Sequence, residues 1–372
     1  MARYSIHFVF WLFLTALPLL AQQQDERLRL VYTDELGSYT EGDELVRTFT
    51  GNVHFRQGEI ELHCDKLFYY QQREQALLVG HIKIKDKDVN LVADSARYFI
   101  DKRQFNAFNN VELTSTDSRL ISHSVTYFQK EKRAVAQVDV HIIDKKQNVD
   151  ITGQFAELVR PRGYTKMTGE PVLIQYDSTG AEEMRIVGES MESFEKGKRF
   201  EIKENVKITR DITVATCGFA SYFSDDEFIE LRENPVAVHL EDKITGDVIK
   251  LQLANKKLQE IEVTGKAKFS SPPDSTIRDI ADENYMTGQE IRLYFADDIV
   301  NKVQVNGMAT SVYHVLNEDG VYQGRNWAQG DTITIFLEDK GISKILIKSD
   351  PGNSLGKFDP PETVQADKGK EK

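Results

Sequence analysis

The chain reads as an all-β repeat protein, an elongated antiparallel sheet folded over on itself, and three observations predict this. First, consecutive segments align with one another: GNVHFRQGEIELHCDKLFYYQQREQALLVG from Gly51, GHIKIKDKDVNLVADSARYFIDKRQFNAFN from Gly80, and NNVELTSTDSRLISHSVTYFQKEKRAVAQ from Asn109. Weaker copies continue to Lys348, giving about nine units of roughly 30 residues, and self-similarity at such a period marks a repeat architecture. Second, apolar and polar residues alternate within each unit, as at Val53 and Phe55, Ile82 and Ile84, Val111 and Leu113, and Val206 and Ile208. A period of two rich in Val, Ile, Phe and Tyr means strands with one buried face, and the intervening RQGE, KDKD and STDS stretches mean turns.

Third, the alternation changes parity at a fixed slot. Ile60, Leu62 and Cys64 give way to Leu67 and Tyr69; Val89, Leu91 and Ala93 to Ala96 and Tyr98; Leu120 and Ser122 to Val125 and Tyr127. One extra residue at Asp65, Asp94 and His123 keeps apolar side chains inside only if the strand turns a corner there. Gly218 occupies this slot in the sixth unit, where the inner face is ambiguous. Strands bent at matching corners and stacked side by side build a long trough with an apolar lining. Its candidate lining residues are Val53, Phe55, Leu62, Ile82, Ile84, Leu91, Val111, Leu113, Val206 and Ile208, which an ordinary packed core would bury equally well.

The N-terminus is a secretory signal peptide, residues 1–21, with Arg3 ahead of an apolar run from Phe8 to Leu20 and a small residue at Ala21. Its apolar run of about 13 residues is short of the roughly 20 that span a bilayer. Loss of Arg3 with that peptide moves the formal charge from −12 to −13, and so acidic a chain is expected to have no nucleic-acid partner. The repeat domain occupies 28–349. Residues 350–372, polar and proline-rich, are expected to form a disordered tail, and Ser270–Asn284 a long loop.

Chemistry-bearing motifs are sparse. There is no GxSxG, no GxxxxGK and no HxxxH spacing, so no catalytic residue, cofactor or metal site is expected, and the protein is not read as an enzyme. Recurrent Asp65 and Asp94 are read as turn-stabilising residues. Cys64 and Cys217 share one slot five units apart, too far for a disulfide, and are expected to be buried free thiols. Basic residues cluster at Lys83, Lys85 and Lys87, a candidate rim for an anionic ligand, and again at Lys145 and Lys146.

The pattern carried by Gly51, Asn52, Val53, Asp65, Leu67, Tyr69 and Gly80 in the first unit resembles the OstA-like family, which includes the LptA-type periplasmic lipopolysaccharide-transport proteins. Ile82, Asp94, Ala96, Tyr98 and Phe99 continue it, then Asn110, Val111, Tyr127 and Phe128, then Asn205, Val206, Tyr222 and Phe223. The resemblance implies an open β-jellyroll whose concave interior shields lipopolysaccharide or a related envelope lipid. It also implies a periplasmic location and partners among other lipopolysaccharide-transport components, or copies of itself joined end to end by strand pairing. No continuation into a transmembrane barrel is expected. Two other readings of the periodicity stay open at this point: a β-solenoid polysaccharide-active enzyme, and a ligand-free envelope scaffold or adhesin.

Overall fold

The computed structural model describes residues 27–361 apart from 88, 255, 256, 280, 298, 339, 340, 351 and 353. The expected signal peptide and the end of the expected tail lie outside the described residues. Within them the chain forms 26 strands, all antiparallel to their partners, and one 3-10 turn, Arg160–Arg162.

The long strands follow one another as a meander in which each bends once. Glu44–Gln57 pairs with Ile60–Tyr70 in two stretches, Val46↔Tyr70 to Thr50↔Lys66 and Val53↔Cys64 to Gln57↔Ile60. Gly51 and Asn52 lie between these stretches and face Asp65 alone. The same two-against-one step recurs at Gly80 and His81 opposite Asp94, and at Asn109 and Asn110 opposite His123. Both residues of each pair have left-handed backbone, for example Gly51 at φ 79° and Asn52 at φ 47°. Consecutive left-handed residues cannot continue a strand, so the chain turns there.

The corner divides the sheet into two arms. One holds stretches such as Lys66–Tyr70, Gln75–Val79 and Ser95–Phe99; the other holds Ile60–His63, Lys83–Asp86 and Val89–Val92. In the middle of the chain the arms are built from separate short strands. Tyr164–Thr168 pairs with Ser190–Phe194 in the first arm, and Val172–Tyr176 with Glu182–Val187 in the second. Both pairs are flanked by the long strands Val149–Val159 and Arg199–Arg210, so the arms stay continuous.

The parity change lies where the sequence placed it: Leu62, Cys64 and Leu67 are buried while Asp65 and Lys66 are exposed. The neighbouring strand keeps parity, Leu78 to Ile82, because it inserts two residues rather than one. Gly218 obeys the same rule, facing the left-handed pair Glu204 and Asn205, so the sixth unit is regular after all. Inward residues of both arms form one apolar cluster, with Phe49 of one arm meeting Phe55 of the other edge to face, ring centroids 4.8 Å apart. Cys64 and Cys217 are buried free thiols.

One boundary differs from expectation. Leu355–Asp359, inside the segment expected to be disordered, pairs with Tyr322–Glu338 from Gln329↔Leu355 to Arg325↔Asp359. Its polar composition conceals it, but the strand adds backbone hydrogen bonds and an Arg325–Asp359 ion pair at 3.2 Å.

Candidate functional site: the interior between the arms

Cross-strand register stacks the inward residues into continuous ladders. In the second arm the ladder runs Phe55↔Leu62, Leu62↔Ile84, Ile84↔Leu91, Leu91↔Leu113 and Leu113↔Leu120. It continues through Leu120↔Ile142, Ile142↔Ile151, Ile151↔Leu173, Leu173↔Ile186 and Ile186↔Ile208. Each step sets apolar side chains against each other on the same face of adjacent strands. The facing ladder in the first arm runs Phe49↔Leu67, Leu67↔Leu78, Leu78↔Ala96, Ala96↔Ala107, Ala107↔Val125, Val125↔Ala136 and Ala136↔Ala156, mixing large and small apolar residues.

All ten candidate lining residues lie in this interior. Val53, Phe55, Leu62, Ile82, Ile84, Leu91, Val111, Leu113, Val206 and Ile208 are each no more than 8 % exposed. Polar residues clasp the two arms together at the mouth of this interior. The Tyr98 hydroxyl donates to Gln57 Oε1. Tyr127 donates to Asp86 Oδ2 at 2.8 Å, and Lys132 Nζ reaches the same oxygen at 2.8 Å. Farther on Tyr222 donates to Gln175 Oε1 at 3.0 Å. Burial raises the phenol pKa of Tyr98 and of Tyr222, so both stay neutral donors.

The Tyr-Phe pair of the repeat thus divides its work. The tyrosine points inward to the clasp; the phenylalanine points outward beneath a cation, as Phe128 does under Arg133 at 3.9 Å and Phe99 under Lys102 at 5.5 Å.

Beyond the Asp86 clasp the mouth opens into a cavity of about 460 Å³. Its floor is apolar, formed by Ile142, Val149, Ile151, Leu158 and Phe200; its rim carries Lys132, Lys146, Arg160 and Lys196, with Asp117 and Asp144 as the acidic members. Asp144 is engaged locally, accepting the backbone N–H groups of Lys146 and Gln147 at 2.9 and 3.0 Å. A second cavity of about 360 Å³ follows along the same interior, walled by Met184, Ile208, Ala215, Ile229, Leu251, Leu253 and Leu258. Ile208 is the one lining candidate that borders either cavity.

The candidate rim lies elsewhere. Lys83 and Lys85 alternate with buried Ile82 and Ile84 and are exposed, so they stand on the outer face of the second arm. Lys87 sits in the turn after that strand and pairs with Glu59 at 2.9 Å. The cations at the open mouth come from four separate turns, and only Lys146 belongs to a cluster visible in the sequence. Lys132, Arg160 and Lys196 lie in unremarkable turns that the fold brings together.

Among the described residues no helix is long and apolar enough to cross a membrane. No curated protein matches the chain. A solved structure it resembles is LptH, the LptA homologous periplasmic component of the lipopolysaccharide transport device of Pseudomonas aeruginosa. The two are 15 % identical, with 40 % of this chain and 95 % of that chain covered and a TM-score of 0.31. Residues 38–133 match the model of the family described as LptA/(LptD N-terminal domain) LPS transport protein. The family resemblance implied by the repeat is thus matched by a family model over residues 38–133, about a quarter of the chain.

Proposed function

We propose that the protein is a periplasmic transport protein that shields the acyl chains of lipopolysaccharide, or of a related envelope lipid, in the interior between its arms. The observation that carries this is the open mouth: an apolar floor continuous with the ladders, beneath a rim of Lys132, Lys146, Arg160 and Lys196. That arrangement suits an amphiphile with an anionic head and apolar chains. Each methylene kept from water is worth about 0.8 kcal/mol, so an acyl chain of about 12 carbons costs on the order of 10 kcal/mol unshielded. The family match on 38–133 supports the same reading.

The ends of the sheet suit strand-to-strand partners, another transport component or a second copy of the chain. At one end Arg29–Tyr32 and Glu35–Glu41 are edge strands with Leu30, Tyr32, Leu36 and Tyr39 exposed. At the other, Gly341–Lys348 and Leu355–Asp359 expose Ile345, Ile347, Leu355 and Phe358. Unpaired edges with apolar side chains favour augmentation by another strand.

Native mass spectrometry of the protein purified gently from an envelope containing lipopolysaccharide tests the assignment. A bound species with the mass of lipopolysaccharide or another envelope lipid is expected. Protein that is uniformly empty, also after incubation with lipopolysaccharide, contradicts the proposal.

A further inference from the structure

On the outer face of the second arm, away from the interior, His54 and His63 are direct cross-strand partners. Their rings stack with centroids 4.0 Å apart and planes at 21°. Glu61 lies two residues before His63 and so on the same face of the same strand. One ligand atom from each of His54, Glu61 and His63 falls within 4.8 Å of the other two. His54 Nε2 is shut off from solvent and has no hydrogen-bond partner, although a buried imidazole nitrogen left unpaired is costly.

The geometry points to a binding site for a divalent transition-metal ion, held by His54, His63 and Glu61. Two imidazoles and one carboxylate are a donor set that suits Zn²⁺ and leaves a position open. Zinc–nitrogen bonds of about 2.0–2.1 Å put tetrahedral ligand atoms about 3.3 Å apart. Side-chain rotation alone has to supply the remaining approach of roughly 1.5 Å. The hairpin Glu44–Gln57 and Ile60–Tyr70 holds both histidines in register, so no backbone movement is needed. The electrostatic cost comes from Lys83 opposite His63 and from Arg56 and Lys85 opposite Glu61. Arg56 Nε is turned to the carbonyl of Gly58 at 3.2 Å. Glu61 is the anion that offsets these charges. A bound ion would tie the first two long strands together.

The test is isothermal titration of the chelator-treated full-length protein with Zn²⁺ alone, repeated on His54→Gln, His63→Gln, Glu61→Gln and, as a control, His141→Gln. The site predicts one Zn²⁺ per chain, weakened at least about tenfold by each of the first three substitutions and unchanged in the control. The unfolding temperature should rise with Zn²⁺ in the parent and not in His63→Gln. No binding by the parent protein overturns the proposal, as does binding that survives both histidine substitutions. His63 is exposed, so His63→Gln decides the matter even if His54→Gln fails to fold.

Discussion

Asn110 Nδ2 donates to Asp94 Oδ2 at 2.7 Å, joining the left-handed pair of one strand to the single corner residue of its neighbour. Asn52 makes the equivalent bond to Asp34 at 3.0 Å, His81 to Asp65 at 2.7 Å, and Asn205 to Glu189 at 3.0 Å. Each corner is thus tied to the one before it in the stack. The recurrent carboxylates serve the bend rather than chemistry.

The first residue is glycine in two of these pairs, at Gly51 and Gly80, and at each the neighbouring carboxylate crosses close to the backbone. A Cβ at Gly80 would lie 2.2 Å from Asp65 Oδ2, and its φ of 78° is left-handed. Gly80→Ala should therefore destabilise by about 1–3 kcal/mol, the sum of a backbone term and a clash. In urea melts Asp65→Ala should restore part of that loss, because only the clash involves the carboxylate. Purely additive effects would show that the two residues do not meet.

The Asp86 clasp is buried, with Asp86 only 2 % exposed and its Oδ1 unpartnered. Replacing Lys132 by Met leaves an uncompensated buried charge and should cost about 3–5 kcal/mol, whereas Tyr127→Phe should cost about 1–3 kcal/mol. Denaturant midpoints of the two variants give the order. A larger loss for Tyr127→Phe would contradict the account of the clasp.

Burial pushes the Cys64 thiol up to about 12 and the Cys217 thiol to about 11. At pH 8 both are neutral and poor nucleophiles. Native protein should resist iodoacetamide, and denatured protein should take up label at both cysteines. Fast labelling of either in the folded state would place that thiol at the surface.

Lys146 and Lys196 stand on the rim of the open mouth. Charge reversal of both should reduce retention of a phosphate-bearing lipid severalfold relative to its dephosphorylated form. Equal losses for the two lipids would mean that the rim does not read the head group.

Much of the fold was legible because a period of two fixes which face is buried, and a parity change can only be reconciled with one interior by a bend. Ile60, Leu62, Cys64 and Leu67 carried that information unaided. The left-handed pairs were invisible to the same test, since Leu78 and Ile82 keep parity across two inserted residues. The burial of the ten candidate residues was legible because burial is written in local alternation. The clasps and the cationic rim were not, because Gln57 with Tyr98 and Asp86 with Lys132 meet across the mouth from positions far apart in sequence, and Lys146 and Lys196 are brought to one cavity in the same way. Lys83 and Lys85 illustrate the converse, a conspicuous cluster that alternation itself turns to the outer face. His54 and His63 escaped a search for short ligand spacing because a hairpin, not a helix, brings them together.

The central claim, that lipid occupies the interior between the arms, is tested most directly by site-specific photocrosslinking in cells. A photoreactive residue at Phe200 or Ile142, on the floor of the open mouth, should capture envelope lipid, whereas one at Lys85 on the outer face should not. Capture at Lys85 equal to that at Phe200, or none at either floor position in functional protein, would contradict it.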